Sequence, residues 1–161
     1  MKFRKSSRIP GYNYKTNGYY FVTIVTRNNI PLLKTYKTDI EQCIVKLPDY
    51  IGGLKVDYYT VMDNHIHLIF SLNNCVKSLG QIVKSLKHSI TRNLKTKTPY
   101  NISQSHSNAT ATNTIKNNKS ASLWEWNYYE HIIRNEKALY SIRKYIQENP
   151  LKESINWDEV Y

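Results

Sequence analysis

The stretch Thr60–Phe70, TVMDNHIHLIF, carries β-prone runs on either side of the polar pair Asp63-Asn64. Two such runs separated by so short a polar junction are typical of a tight β-hairpin. Because side chains alternate between the two faces of a strand, His65 and His67 should project from the same side. Two imidazoles at this spacing could hold one metal ion, form a hydrogen-bonded pair, or be ordinary polar residues on a solvated face. The stretch alone leaves these alternatives open.

The pattern on either side of the hairpin predicts a sheet backed by helices. The predicted elements are, in order, a strand at 19–26, a helix at 38–50, strands at 54–62 and 64–72, a helix at 78–95, a strand at 124–133 and a helix at 136–149. Asn135 can cap the last helix, and Pro150 ends it. The order β-α-β-β-α-β-α predicts an α+β fold. Its first six elements would form a ferredoxin-like, or RRM-like, antiparallel sheet, and the last helix is an addition.

Two segments fall outside these elements. Residues 1–18 predict an irregular basic arm, punctuated by Pro10-Gly11 and Asn17-Gly18. Residues 96–122 are rich in Asn, Thr and Ser and poor in apolar residues, which predicts a long flexible loop. For a chain of 161 residues we expect one domain, spanning 1–161.

The composition favours a protein of the cytoplasm. We expect no membrane span, because the chain lacks a run of about 18 apolar residues. The basic N-terminus has no apolar stretch behind it and does not resemble a secretory signal. The two cysteines, Cys43 and Cys75, lack metal-type spacing and are expected to be reduced.

Charge is the strongest global signal. Lys and Arg number 23 against 12 Asp and Glu, which gives a formal net charge of +11. No acid precedes Asp39 and none lies between Asp63 and Glu125, and each of these windows carries eight basic residues. Such a field attracts polyanions, so nucleic-acid binding is favoured over a protein that is merely basic.

The predicted helix at 78–95 separates its basic residues from its apolar stripe. The stripe occupies one arc of the helical wheel and should pack on the sheet. The basic residues on the other side and at its edges are Lys84, Lys87, Arg92 and Lys95. A basic face is usually just solvated, but no acid accompanies this one, which favours contact with phosphates.

Tyr145 and Asn149 lie four residues apart in the last predicted helix and should stack on one face. Beside them, Leu139, Ile142 and Ile146 form the apolar stripe that would dock this helix. A tyrosine and an amide at this spacing are common by chance. Taken alone, Tyr145 indicates only packing at the rim of the core.

Five segments, taken together, resemble a known family. They are RIPGYNY at 8–14, YYFVTIVT at 19–26, VMDNHIHLIF at 61–70, LWEWNYYEHIIRNE at 123–136 and RKYIQENP at 143–150. In this order they are similar to the single-tyrosine HUH transposases of the insertion-sequence 200/605 type, and most to their REP-associated branch. One departure is Asp63, which stands where the family usually has a proline. It could tighten the hairpin or add a charge near a metal.

The resemblance implies a site of four residues. His65 and His67 match the metal-binding histidines of the family, and Tyr145 matches its nucleophile. Asn149 stands where the family has a polar amide that completes the metal site. Nitrogen and oxygen ligands would accept Mg²⁺ or Mn²⁺, and geometry alone would not exclude zinc. The implied reaction is cleavage and rejoining of single-stranded DNA beside a hairpin, such as a REP-like or insertion-sequence end, through a 5′-phosphotyrosine and without ATP.

Further residues keep two interpretations each. Glu130 and His131 should point to opposite faces of their strand, where one could approach the metal or the tyrosine, or both could bond neighbouring elements. Arg134 could contact phosphate or cap the edge of the sheet. The resemblance also implies that the arm from Arg8 to Tyr14, which includes Tyr12, helps to read DNA. Related enzymes act as homodimers or as monomers, and both states stay open.

Three functional hypotheses follow. The first is a metal-dependent DNA strand transferase acting at the nucleoid, and the second is a non-catalytic nucleic-acid-binding module with the same fold. Only the joint presence of the two histidines, Tyr145 and Asn149 separates them. The third, a replication-initiator or relaxase nickase, shares the chemistry but usually carries further domains.

Overall fold

The computed structural model describes residues 8–97 and 122–151 of the chain. Its strands are β1 (Gly18–Val25), β2 (Leu54–Val61), β3 (His65–Leu72) and β4 (Tyr129–Ile133). Its α-helices are α1 (Lys37–Tyr50), α2 (Leu79–Lys97) and α3 (Glu136–Glu148), with 3₁₀ turns at Arg27–Asn29, Leu33–Tyr36 and Asn149–Leu151. Residues 1–7 of the predicted arm and 98–121 of the predicted loop lie outside the described residues. Within the described ranges, no helix is long and apolar enough to span a membrane.

The four strands form one antiparallel sheet in the order β2-β3-β1-β4. With the crossover helices α1 and α2, this confirms the predicted α+β fold of ferredoxin-like plan. The predicted hairpin is confirmed as well, because the amide of Met62 donates to the carbonyl oxygen of His65 at 2.9 Å across the pair Asp63-Asn64. The sheet therefore places His65 at the first position of a central strand.

The fourth strand is shorter than predicted. The sequence predicts a strand at 124–133, but the ladder covers only Tyr129–Ile133, and Trp124 makes an isolated bridge with Thr26. The cause is the indole of Trp124, which is buried and donates from Nε1 to the carbonyl oxygen of Lys87 on α2 at 3.2 Å. The chain between Trp124 and β4 therefore follows the helix as an irregular edge segment.

The sheet has a buried core on each face. The first core joins the sheet to α1 and α2, and its β1 and β3 members are Tyr20, Val22, Ile24, Ile66, Leu68, Phe70 and Leu72. The second core is smaller and joins the sheet to α3, through Phe21, Ile69, Ile133, Leu139, Ile142 and Ile146. Strand alternation therefore sends one set of side chains to the crossover helices and the other set to α3.

Helix α3 begins where the sequence predicts it. The side-chain oxygen of Asn135 accepts from the amide of Ala138 at 2.8 Å, which is an N-cap hydrogen bond. The predicted stripe of Leu139, Ile142 and Ile146 is buried against the sheet. Burial of three such aliphatic side chains contributes about 1.5–3 kcal/mol each, so apolar packing supplies most of the docking free energy of α3.

A β-bulge in β2 supplies a polar tie to the same helix. Val56 pairs with Phe70 and Tyr58 with Ile69, so Asp57 is the extra residue. Its carboxylate accepts two hydrogen bonds from the guanidinium of Arg143 on α3, at 2.8 and 2.6 Å. A bulge re-aims a side chain in this way, and the bidentate geometry fixes α3 against the edge of the sheet.

We predict that Asp57→Asn lowers the free energy of unfolding by about 1 kcal/mol, since a charge-assisted pair that is only partly exposed is lost. Urea unfolding followed by circular dichroism measures the change. Glu41→Gln, which breaks the helix-surface pair with Lys37, is the matched control and should cost less than about 0.5 kcal/mol. Equal losses in the two variants would contradict a special role for the bulge.

Candidate active site

Tyr145 and the two histidines, which are distant from it in sequence, converge where α3 packs on the sheet. The hydroxyl of Tyr145 lies 3.1 Å from Nε2 of His67. The ring centroids of His65 and His67 are 4.7 Å apart, so both imidazoles occupy one face of β3, as the alternation predicts. The tyrosine and the histidines belong to the same chain, so the juxtaposition requires no second copy.

The sheet holds each imidazole through Nδ1. Thr23 is the cross-strand partner of His67, and its Oγ1 lies 2.8 Å from Nδ1 of that ring. Nδ1 of His65 lies 2.7 Å from Oδ1 of Asn64, the neighbouring residue in the hairpin turn. The ring of Phe21 stacks on His67 at a centroid distance of 5.4 Å. With the proton on Nδ1 in both rings, each Nε2 keeps its lone pair for another partner.

Burial keeps both imidazoles neutral. It lowers the pKa of His67 to about 3, and the neighbouring His65 acts in the same direction. Burial also lowers the pKa of His65, although the carboxylate of Asp63 opposes this shift. The neutral ring is the form that ligates metal ions, so the pair is ready to bind a cation at physiological pH.

Tyr145 is buried enough to resist ionisation. Burial raises its pKa above the ordinary value of 10.0, and the nearby side chain of Asn149 works against the shift. The pKa of His67, about 3, lies far below that of the phenol, so His67 does not act as the general base for Tyr145.

Asn149 lies beside Tyr145 at the end of α3. It is the first residue of the 3₁₀ turn that follows the helix, and only 5% of its surface is exposed. Its Nδ2 is buried and has no hydrogen-bond partner among the residues that the structure describes. Since the oxygen and nitrogen of an amide exchange places in a flip, this position can present an oxygen to a cation.

These residues fit the divalent metal that the resemblance implies. Two neutral imidazoles and one amide oxygen form a mixed donor set that Mg²⁺ or Mn²⁺ accepts, with room for oxygens from a substrate. No three His, Cys, Asp or Glu side chains in the described part of the chain come together as a metal site. The resemblance implies the amide of Asn149 as the third protein ligand.

The three predicted neighbours of the site lie in different places. The carboxylate of Asp63 is exposed in the hairpin turn and forms a 3.8 Å ion pair with Lys34. His131 pairs with Phe21 and shares the face of the site, one row away from His67. Glu130 pairs with Val22 and belongs to the face of α1 and α2. The structure therefore separates Glu130 from the histidines.

The predicted DNA-binding residues lie mainly on the other side of the sheet. Lys84, Arg92 and Lys95 are exposed on α2, whereas Tyr145 reaches the sheet from the opposite face. Lys87 donates to two main-chain carbonyl oxygens beside α2. A nucleic-acid strand that contacts both α2 and the site must therefore pass around an edge of the sheet.

The remaining three candidates lie at other points. Arg134 is exposed between β4 and α3. Arg8 stacks on the ring of Tyr128, with its guanidinium carbon 5.1 Å from the centroid. The hydroxyl of Tyr12 lies 3.1 Å from that of Tyr20, at the rim of the first core.

Sequence reasoning missed the residues that orient the histidines. Thr23 stands among apolar residues in β1, and only the strand register reveals that it faces His67. Asn64 was assigned to the turn, and its contact with His65 depends on the turn geometry. A polar residue at an inward position of a strand is the one signal that points to Thr23.

Two solved transposases share this fold, which confirms the resemblance at the level of the fold. A REP-associated tyrosine transposase, solved bound to a REP hairpin, superposes with a TM-score of 0.66 at 22% identity, over 92% of this chain and 75% of that one. A candidate transposase from Deinococcus radiodurans gives a TM-score of 0.55 at 17% identity, over 89% and 97% of the two chains.

A relative of similar length completes the comparison. An uncharacterised protein of Haemophilus influenzae is 30% identical over 159 residues, which cover 92% of this chain and 88% of the relative. The chain therefore belongs to the same family as this Haemophilus protein. No family model matches the chain.

The pKa of His67 yields a stability prediction. Its pKa is about 3 when folded and near 6.5 when unfolded, so the unfolded state binds the proton first and stability falls as the pH drops below about 6.5. Between pH 7 and pH 5 we expect His67 to remove about 2 kcal/mol from the free energy of unfolding. Urea titrations in metal-free buffer measure this loss.

His67→Gln should reduce that pH-dependent loss by the same amount. His65 and His131 titrate in the same direction and should keep a smaller dependence in the variant. His88→Gln is the control, because His88 is exposed on α2. An unchanged pH dependence in His67→Gln would mean that the buried ring is not the source.

Proposed function

We propose that the protein is a metal-dependent transposase that cleaves and rejoins single-stranded DNA through Tyr145. The observation that carries the proposal is the 3.1 Å approach of the Tyr145 hydroxyl to His67, one of two neutral histidines on the same strand face. The fold of solved transposases supports the same activity. A packing role for Tyr145 alone would not account for the paired neutral imidazoles and the buried amide of Asn149.

The reaction follows from the position of the phenol. Oη of Tyr145 attacks the scissile phosphorus, the bond from phosphorus to the 3′ oxygen breaks, and the products are a 5′-phosphotyrosine and a free 3′-OH. The phenolic proton is lost, and the leaving 3′ oxygen gains one. Attack of a second 3′-OH on the phosphotyrosine reverses these changes and joins a new strand. The phosphodiester is conserved as a covalent link, so no ATP is required.

The chain's own residues position the reactants. His65, His67 and Asn149 would hold the cation, while Thr23 and Asn64 fix the tautomers of the two rings. A bound divalent ion supplies the charge that neutralises the phosphate and stabilises the phenolate and the leaving oxygen. Since His67 is too weak a base to take the phenolic proton, a cation held by these residues would supply the charge that favours the phenolate.

The proposed substrate is single-stranded DNA beside a hairpin. A paired and stacked backbone would not enter a site enclosed between α3 and the sheet. One of the solved transposases is bound to a REP hairpin, which supports a hairpin ligand here. The net charge of +11 supports a polyanionic partner, and binding should weaken steeply with salt.

We predict that the protein incubated with Mn²⁺ and a hairpin-flanked single strand forms a covalent adduct that survives denaturing electrophoresis. Tyr145→Phe should abolish the adduct and leave equilibrium binding within about twofold, since it removes only the nucleophilic oxygen. Tyr140→Phe, an exposed tyrosine on the same helix, is the matched control and should react normally. Binding by the wild type without an adduct, across a panel of hairpins, would favour the non-catalytic binding module.

A second prediction concerns the support of His67. Thr23→Val keeps the shape of the side chain but removes the partner of Nδ1, so Mn²⁺ affinity should fall by roughly 10- to 100-fold. Isothermal titration without DNA measures it. Thr60→Val is the control, because Thr60 flanks His67 on β2 and is equally buried, at 9% exposure. Equal losses in both variants would indicate general disturbance of the sheet and no specific support from Thr23.

A further inference from the structure

Trp126 is the most exposed large apolar side chain among the described residues, with 93% of its surface open to solvent. It stands in the irregular segment at 122–128, which precedes β4. Single exposed apolar residues are common and by themselves indicate nothing. The backbone on both sides of this indole, however, is held by specific bonds.

Lys87 holds the two residues that flank Trp126. Its ammonium donates to the carbonyl oxygen of Glu125 at 2.9 Å and to that of Asn127 at 3.3 Å. Burial lowers the pKa of Lys87 to about 8, which accords with a cation committed to the protein interior. The ammonium of Lys87 therefore bridges the main chain on both sides of Trp126, whose indole is open to solvent.

Further bonds fix the start of the segment. The amide of Glu125 donates to the carbonyl oxygen of Val25 at 3.0 Å, and its carboxylate accepts from the amide of Asn28 at 3.2 Å. Trp124 is buried and donates from Nε1 to Thr91 of α2 at 3.0 Å. These bonds hold the backbone that carries Trp126, and we call residues 124–127 its support.

The support lies at the edge of the sheet next to the candidate active site. Val25 pairs with His65 on one side and bonds Glu125 on the other. Two strand spacings, about 10 Å, therefore separate the backbone of Glu125 from that of His65. A DNA strand that contacts both the basic face of α2 and the site can pass around the sheet at this edge.

The surroundings of Trp126 are basic. Lys84 is exposed on α2 one turn before Lys87, on the strip along which the segment runs. Further along, Arg8 covers the ring of Tyr128. The carboxylate of Glu125 is bonded to an amide. An exposed aromatic ring beside cations is a combination that binds single-stranded nucleic acid.

We propose that Trp126 is a stacking platform for a base of the single-stranded DNA, with Lys87 as the residue that positions it. The proposal rests on the proposed function, because its ligand is the strand that Tyr145 would cleave. It assigns Lys87 a task inside the protein and leaves the phosphate contacts to exposed cations such as Lys84.

Binding of a labelled oligothymidylate, measured by anisotropy in the Tyr145→Phe background with EDTA, tests the platform without chemistry. Trp126→Ala should weaken binding by roughly 5- to 150-fold, the range for loss of one stacked base, and Trp126→Phe should retain most of the affinity. Tyr50→Ala is the matched control, since Tyr50 is 77% exposed on α1, away from this edge. Trp126 emission should be quenched by the oligonucleotide, with Trp126→Phe as the reference.

An abasic strand of equal length separates stacking from charge. Trp126→Ala should leave its binding unchanged, because the strand has phosphates but no bases. Lys87→Met should likewise weaken only the strand with bases and keep the salt slope, whereas a phosphate-binding lysine would weaken both strands and reduce the slope by about one. Lys84→Met should show this second pattern.

Three results would overturn the proposal. One is a Trp126→Ala affinity equal to that of Tyr50→Ala, and another is an equal loss on the abasic strand. The third is a wild-type dimer that Trp126→Ala converts to a monomer, which would assign the indole to a contact between copies. Failure of the proposed function has a different signature, because Trp126-dependent binding with no Tyr145 adduct in the wild type would remove the enzyme and keep the platform.

Discussion

The docking of α3 on the second face of the sheet is the constraint on which the site depends. Both histidines belong to β3, but Tyr145 reaches His67 only because the helix lies across that face. Apolar burial supplies most of the free energy and has little directional preference. The bidentate pair between Arg143 and the bulged Asp57 is directional. Apolar packing therefore holds α3 on the sheet, and this polar contact sets its position.

The same packing sets the chemistry of the site. Enclosure between α3 and the sheet lowers the pKa of His67 and raises that of Tyr145, so at neutral pH both groups are uncharged. A neutral site of this kind does not repel a phosphate. It also gives the phenol no internal base, so a reaction that ionises Tyr145 must bring positive charge with it.

Much of this arrangement could be predicted from the sequence because it depends on local periodicity. The alternation of the HIH stretch fixes the shared face of His65 and His67, and the helical spacing places Tyr145 and Asn149 together. The support of the site could not be predicted in this way. Thr23 meets His67 only through the register of β1 against β3, which is a property of two strands. Asp57 meets Arg143 only because of a bulge, which no hydrophobic pattern encodes.

The predicted strand at 124–133 is too long because it, too, depends on a tertiary contact. The same contact explains why Lys87 faces the protein interior. A β-prone run has no means of signalling that the indole of Trp124 is buried and bonded to α2, which draws the first half of the run out of the ladder. The carbonyl oxygens freed in this way need donors, and Lys87 supplies them. Lys87, which the helical wheel places at the edge of a basic face, therefore faces inward. The positive surface of α2 is formed by exposed residues such as Lys84, Arg92 and Lys95.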